Sequence, residues 1–350
     1  MCDIGAPRPT GLRRYLLDRL HRGGKKSETI AIPKADSLFW AIFEKTEGNE
    51  MKNLLIATTA LVATAGVAVA DVKVSGYARF GALYNDSAAA GDDSTNTRSR
   101  LRLQFDASTE TDGGLTLSVR QRFQAEENNA NAGGNGARFS ASTGGLTINV
   151  GNINGALESA PGLYMSTKSA GVGLEGNAFG NVATNTASNG GAFGWTAYSS
   201  GGAGAQDGVE IVYSMSGFGL HVHSTDTSYG VGANYKFGDI TAAVAYEEFD
   251  NGNTYTFASV GGKVGGGNVV LSGAETEIGG VSAQKIVLQG GYNVSDAVYA
   301  YGFVATEDNV DEAFGAGVSY SLGGGASVEA GWEQTVAGAN LISAGIFFSF

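Results

Sequence analysis

The sequence predicts an all-β fold, a transmembrane antiparallel β-barrel of about 16 strands. Three observations carry this prediction. Apolar and polar residues alternate with period two through most of the chain after residue 70. Proline almost vanishes there, with Pro161 alone remaining, as a closed sheet requires when every strand must supply its N–H groups. The chain also finishes on Phe-Phe-Ser-Phe, with Ile342, Ala344, Ile346, Phe348 and Phe350 two residues apart. Such an aromatic terminal face invites aggregation in water and suits lipid.

Composition agrees. The 350 residues include 55 Gly and 4 Pro, and 43% are hydrophobic. The mean hydropathy of −0.04 excludes a bundle of membrane helices, yet a membrane barrel averages to the same neutral value because its strands alternate. A net charge of −12 argues against non-specific nucleic-acid binding. The single cysteine, Cys2, lies in a segment outside the barrel, so disulfides and thiolate metal sites are not expected.

Three segments are predicted. Residues 1–50 hold three of the four prolines and show no sustained alternation, and they read as a non-native upstream extension. The competing reading is a genuine long leader. Residues 51–70 read as a signal peptide: Met51-Lys52-Asn53, an apolar run from Leu54 to Val67, then Ala68-Val69-Ala70 as a small-residue cleavage site. Residues 71–350 read as the barrel, with 12 basic and 27 acidic side chains and a net charge of −15.

In the first strand Val72, Val74, Ala78, Phe80 and Ala82 share a face opposite Lys73, Ser75, Tyr77 and Arg79. In the second, Leu101, Leu103, Phe105 and Ala107 oppose Arg100, Arg102, Gln104 and Asp106. In the third, Leu115, Leu117, Val119 and Phe123 oppose Thr116, Ser118, Arg120, Arg122 and Gln124. Continuing this pattern gives strands at 72–84, 97–108, 114–126, 137–143, 146–152, 207–215, 218–225, 228–237, 239–249, 254–264, 267–278, 282–294, 297–307, 312–322, 326–336 and 341–350. The even number is what a single-chain bacterial barrel needs. Tight turns such as Asp112-Gly113-Gly114 and Gly144-Gly145 alternate with longer polar loops such as Asn85 to Asn96. Residues 153–206 form one long loop, in which Phe193 to Ser199 is either strand or loop. Tyr84, Tyr246, Trp332 and Phe348 fall near strand ends, where interfacial aromatic girdles form.

Several motifs point to chemistry and are outweighed by plainer readings. His221 and His223 share a strand face and could hold a metal, but no third ligand accompanies them and two polar wall residues is the favoured reading. Asp92, Asp93, Asp308, Asp311 and Glu312 offer oxygens for structural calcium, against the simpler reading of solvated loop charge. Gly171-x-Gly173-x-x-Gly176 matches a dinucleotide fingerprint by letter but lacks the strand–helix context. No resident cofactor is expected.

The opening Asp-Val-Lys-Val-Ser-Gly-Tyr-Ala-Arg-Phe-Gly at 71–81, the Arg-Ser-Arg-Leu-Arg-Leu of 98–103, the long loop after the fifth strand and the C-terminal Phe together resemble the purple-bacterial type of general porin. The resemblance covers essentially all of 71–350. It implies a sixteen-stranded barrel in the outer membrane of a Gram-negative bacterium, a homotrimer, and a third loop folded inward to narrow a passive pore for ions and small hydrophilic solutes.

A pore needs a polar lumen narrowed at one level, where side-chain charge sets ion preference. All seven arginines after residue 70 lie within the first four strands. Alternation places Arg79, Arg100, Arg102, Arg120 and Arg122 on the lumen side, because a lipid-facing arginine at mid-membrane would cost about 2–4 kcal/mol. With an inward-folded loop, Glu158 and Glu175 are the acidic candidates opposing them. The plainer alternative is arginines solvated at the rim or paired with Asp106. Three rival functions stay open: a solute-specific channel on the same barrel, an outer-membrane enzyme, and a Gly-rich adhesin or structural protein. The enzyme would need a Ser, His and acid on one outer face, whereas His221 and His223 point inward. The adhesin would need a fixed short repeat, whereas strand spacing varies.

Overall fold

The computed structural model describes residues 71–89, 91–127, 133–174 and 207–350. The extension and signal-peptide readings of 1–50 and 51–70, the Phe193 to Ser199 segment and Glu175 lie outside the described residues. The strands are β1 (Asp71–Asn85), β2 (Thr95–Glu110), β3 (Thr116–Glu126), β4 (Gly133–Gly134), β5 (Arg138–Thr143), β6 (Leu146–Asn152), β7 (Asp207–Met215), β8 (Phe218–Thr225) and β9 (Ser228–Phe237). They continue as β10 (Ile240–Phe249), β11 (Thr254–Val264), β12 (Gly267–Ile278), β13 (Val281–Asn293), β14 (Val298–Glu307), β15 (Ala313–Gly323), β16 (Ala326–Gln334) and β17 (Asn340–Ser349). Each is antiparallel to its neighbours, and β1 pairs with both β2 and β17, so the sheet closes on itself. β4 is a two-residue bridge that shares its place beside β3 with β5, which leaves sixteen full strands among the described residues. No helix among the described residues is long and apolar enough to cross a membrane, and the strands do the crossing.

The predicted strands are recovered with ends moved by one or two residues. β4 was not anticipated. Between Gly134 and Arg138 three residues of the chain face two of β3, a bulge. Its polar groups are satisfied locally: Asn135 N donates to Arg122 O at 3.1 Å, Arg122 N donates to Asn135 Oδ1 at 3.0 Å, and Gln121 donates to Asn135 O. At one end the turns are tight. Gly144 and Gly145 have φ of 55° and 85°, the pair of positive angles that matches a two-residue turn to strand twist. The other end carries the longer loops, although 226–227 and 279–280 are as short as the turns. Asp86, in the first of these loops, accepts hydrogen bonds from Asn340 N at 2.8 Å and Asn340 Nδ2 at 2.7 Å, which hold its carboxyl below the usual carboxylate range and tie that loop to β17.

The polarity is inverted relative to a soluble protein. Phe80, Leu101, Phe105, Ile148, Val244, Leu271, Ile286 and Leu288 are exposed, while Glu210, His223, Glu247, Lys285 and Glu329 are almost fully buried. The exposed apolar side chains sit on the outward face of each strand, where the hydrocarbon core takes the place of water. Aromatics mark both edges: Tyr235, Phe237, Tyr292, Tyr320 and Phe350 at the turn end, and Tyr84, Phe123, Tyr229 and Trp332 at the loop end.

One expectation needs correction. The lumen is not lined by polar residues all round. Residues 153–174, the described part of the long loop, lie inside the barrel, and Leu157, Leu163, Met165 and Val172 form an apolar cluster with Phe257, Val287, Tyr301, Phe303, Ala305 and Ala313. The apolar residues on the inward faces of β11 to β15 pack against this segment instead of facing water, among polar ones such as Ser259 and Gln289. The segment lies close to the wall. A Cβ on Gly331 would stand 2.3 Å from Val172 Cγ1 and 2.7 Å from Gly173 N, and one on Gly345 would stand 2.6 Å from Leu174 Cδ1. Gly331→Val is expected to lift residues 172–174 off β16 at a cost of about 1–3 kcal/mol. A lowered thermal unfolding temperature in detergent checks this; an unchanged one would place the segment away from β16.

Candidate functional site

The arginine-bearing wall is built by register. β2 carries Arg100, Arg102, Gln104 and Asp106 on its inner face, and β3 carries Arg120, Arg122, Gln124 and Glu126. Both read Arg-x-Arg-x-Gln-x-acid. Because the strands run antiparallel, the two copies oppose each other head to tail: Arg100 faces Glu126, Arg102 faces Gln124, Gln104 faces Arg122 and Asp106 faces Arg120. Each rung is made. Arg100 Nε lies 2.8 Å from Glu126 Oε1 and Arg120 Nε lies 2.7 Å from Asp106 Oδ1. Arg102 Nε donates to Gln124 Oε1 at 2.7 Å, and Arg122 Nε donates to Gln104 Oε1 at 2.7 Å. The outer rungs are ion pairs and the two central rungs are arginine–amide pairs, so four arginines meet two carboxylates and the positive excess sits mid-ladder.

Neighbouring strands extend this wall. Arg79 of β1 is buried and stands opposite Arg100 in the register. Arg138 of β5 stands opposite Arg120. The Arg102 guanidinium lies 5.3 Å from the centre of the Tyr77 ring, which itself stacks on Phe347. Above the ladder, Arg98 and Glu127 form a 3.1 Å ion pair. Burial pushes the Glu127 carboxyl up, but the Ser99 N–H and the Arg98 guanidinium outweigh it and hold it below its usual range. Arg79, Arg100, Arg102, Arg120 and Arg122 share the faces of β1 to β3 opposite the exposed apolar side chains, and Arg120 pairs with Asp106.

The inner segment faces this wall. Glu158 lies on it, and its carboxylate accepts the Tyr164 hydroxyl. Glu175, the other predicted acid, is outside the described residues. The segment is pinned to the barrel wall from β7 round to β17 by polar contacts that sequence reasoning missed. Glu210, 1% exposed, accepts Asn154 N at 3.2 Å, Gly155 N at 3.0 Å and Asn149 Nδ2 at 2.8 Å. Farther along, Ser259 donates to Pro161 O and Gln289 Nε2 donates to both Gly162 O and Tyr164 O at 3.3 Å. Gly173 N donates to the Tyr301 hydroxyl at 3.0 Å, and Leu174 N donates to Ser343 Oγ at 2.9 Å. Strand parity was the available signal: it puts Glu210, Ser259, Gln289, Tyr301 and Ser343 on inward faces.

His221 and His223 belong to the same anchorage. His221 Nε2 lies 2.8 Å from Glu210 Oε2, and His223 Nδ1 accepts Ala156 N at 2.9 Å. Among the described residues no three His, Cys, Asp or Glu side chains gather as a metal site. The arrangement sets a cationic wall on β2 and β3 and a pinned inner segment within one barrel.

Comparison with known proteins agrees with this geometry. The sequence matches the Gram-negative porin family over residues 57–338. It is 28% identical over 303 residues to a porin of Fuscovulum blasticum, covering 80% of this chain and all of that one. Solved structures of engineered variants of the Rhodopseudomonas blastica porin superpose with TM-scores of 0.70 and 0.69 at 26% identity, again covering 80% of this chain and all of theirs. The chain belongs to the Gram-negative porin family, the outer-membrane barrels that serve as diffusion channels and not as enzymes.

Proposed function

We propose that this porin is a general, non-specific diffusion channel for ions and small hydrophilic solutes, whose eyelet lies between the Arg100–Arg102–Arg120–Arg122 ladder and Glu158 on the inner segment. The observation that carries this reading is the pairing of a net-positive ladder on β2 and β3 with an acid on the loop that faces it. Opposed fixed charges set up a transverse field across the passage. Such a field orders water and disfavours apolar solutes, for which the site offers no compensating contact. Arg79 supports the wall from β1, and Glu175 is the second acid assigned to the loop. The channel works without a resident cofactor. The family likeness supports a homotrimer; the basic start, apolar run and small-residue site of 51–70 support a cleaved signal peptide, and the absence of alternation in residues 1–50 supports an upstream extension.

Reconstitution into planar bilayers tests this directly. Stepwise conductance proportional to salt and unsaturated by small solutes is expected, in groups of three for a trimer. Saturation by one solute would instead favour a solute-specific channel. N-terminal sequencing of the mature protein is expected to read Asp71-Val72-Lys73.

The eyelet assignment has its own test. Arg102→Ala with Arg122→Ala removes two charges from the central rungs, and the reversal potential in a salt gradient is expected to move toward cations. Each charge at about 7 Å in water is worth about 0.6 kcal/mol, or about a threefold change in permeability ratio. Glu158→Gln and Asp106→Asn each shift preference the other way by a similar factor. Unchanged reversal potentials in all of these variants would remove the eyelet from this wall.

A further inference from the structure

The start of the inner segment is held by three successive backbone amides. Those of Asn154 and Gly155 donate to Glu210, a carboxylate, and that of Ala156 donates to His223, an imidazole. A backbone N–H can only donate, so Nδ1 of His223 carries no proton. The neutral ring therefore holds its proton on Nε2, which lies 3.5 Å from Glu247 Oε1. The ring is 2% exposed. It lies across Gly230 of β9, where a Cβ would come within 2.4 Å of His223 Cε1. Glycine at that position lets a side chain from β8 reach over β9 to β10.

We propose that His223 is a proton-operated latch on the constriction segment, a positioning residue whose protonation releases Ala156 and loosens the loop that sets the pore width. A doubly protonated ring presents N–H at Nδ1 to the N–H of Ala156, donor against donor. The hydrogen bond is lost, and the ring or the segment must move.

Glu247 of β10 lies 3.5 Å from Nε2 of the ring, and Glu210 of β7 stands opposite His223 in the register. Arg138 of β5 stands behind Glu210 at 4.0 Å. β9 presents Gly230 and Ser228, which do not ionise, and residues 153–157 carry no ionisable side chain before Glu158. On the same strand His221 contacts Glu210 at 2.8 Å, a contact that an N–H at Nε2 preserves. The two histidines thus differ in partner: one meets a carboxylate and the other a backbone amide.

This inference rests on reading residues 153–174 as the constriction. The full-length protein in planar bilayers is titrated from about pH 8 to about pH 5, the span over which histidines change charge. Closure frequency and open-channel noise are expected to rise about fivefold in acid, the Boltzmann weight of one lost buried hydrogen bond. His223→Asn keeps an acceptor near the Nδ1 position and cannot take up the proton, so its profile is expected to be flat. His221→Asn is expected to keep the acid response. A flat profile in the unmodified protein, or the same acid response in His223→Asn, would overturn the latch. Nitrogen-15 NMR of the histidine rings supplies a test independent of any variant: at pH 8 the His223 ring is expected with bare Nδ1 and protonated Nε2, and a protonated Nδ1 would overturn the proposal. A protein that opens no channel at any pH would count against the diffusion-channel reading, while the NMR result would still decide the latch.

Discussion

Every backbone N–H and C=O that enters hydrocarbon must find its partner within the protein, because lipid offers none and each unsatisfied group costs several kcal/mol. The rest of this structure follows from that constraint. It forces the strands into a closed ladder, with β1 bonded to β17 along one edge and to β2 along the other. It explains why Pro161, the single proline after residue 70, lies on the inner segment and not in a strand. It also explains the care taken at the β4–β5 bulge, where the ladder slips by one residue and the side chains of Asn135 and Gln121 occupy backbone groups that would otherwise be stranded.

Closure creates a second surface, and the two surfaces obey different rules. Outside, apolar side chains meet lipid and need only avoid charge. Inside, the chain has two unequal solutions. On β1, β2, β3 and β5 the lumen face is polar and cationic, and its charges are kept in place by one another. On β11 to β15 it carries apolar residues among polar ones, and the inner segment lies against it and buries Leu157, Leu163, Met165 and Val172. Such packing holds a loop in place by the hydrophobic effect, while Glu210, His223, Gln289, Tyr301 and Ser343 fix its position through its backbone. Glycines at 331 and 345 set the depth at which it rests.

The ladder on β2 and β3 answers a difficulty particular to pores. Several arginines on one wall repel, and their long side chains tend to wander. Repeating Arg-x-Arg-x-Gln-x-acid on two adjacent antiparallel strands solves both problems at once, since each guanidinium meets a carboxylate or an amide directly across the sheet. Isolated exposed ion pairs contribute little. Here the pairs are partly buried and consecutive, and they order the cations along the wall while leaving a positive excess at its centre.

Much of this was written in the linear sequence. Alternation located sixteen strands to within about two residues, because side-chain parity in a strand is a local property that lipid on one face and water on the other make visible. The same parity put Arg79, Arg100, Arg102, Arg120 and Arg122 on the lumen side. The pairing partners of the ladder were also latent in it, as two copies of one motif that only the antiparallel register brings into opposition. What the sequence did not reveal was the path of residues 153–174. That segment has no period to read, and its position depends on contacts with strands up to 169 residues away, such as Ser343 with Leu174. The roles of Glu210, His221 and His223 were hidden for the same reason: alone on their strands they are polar wall residues, and they become anchors only when a distant loop brings its amides to them. Parity follows from the backbone alone, whereas the loop's seat is a property of surfaces that exist only once the barrel has closed.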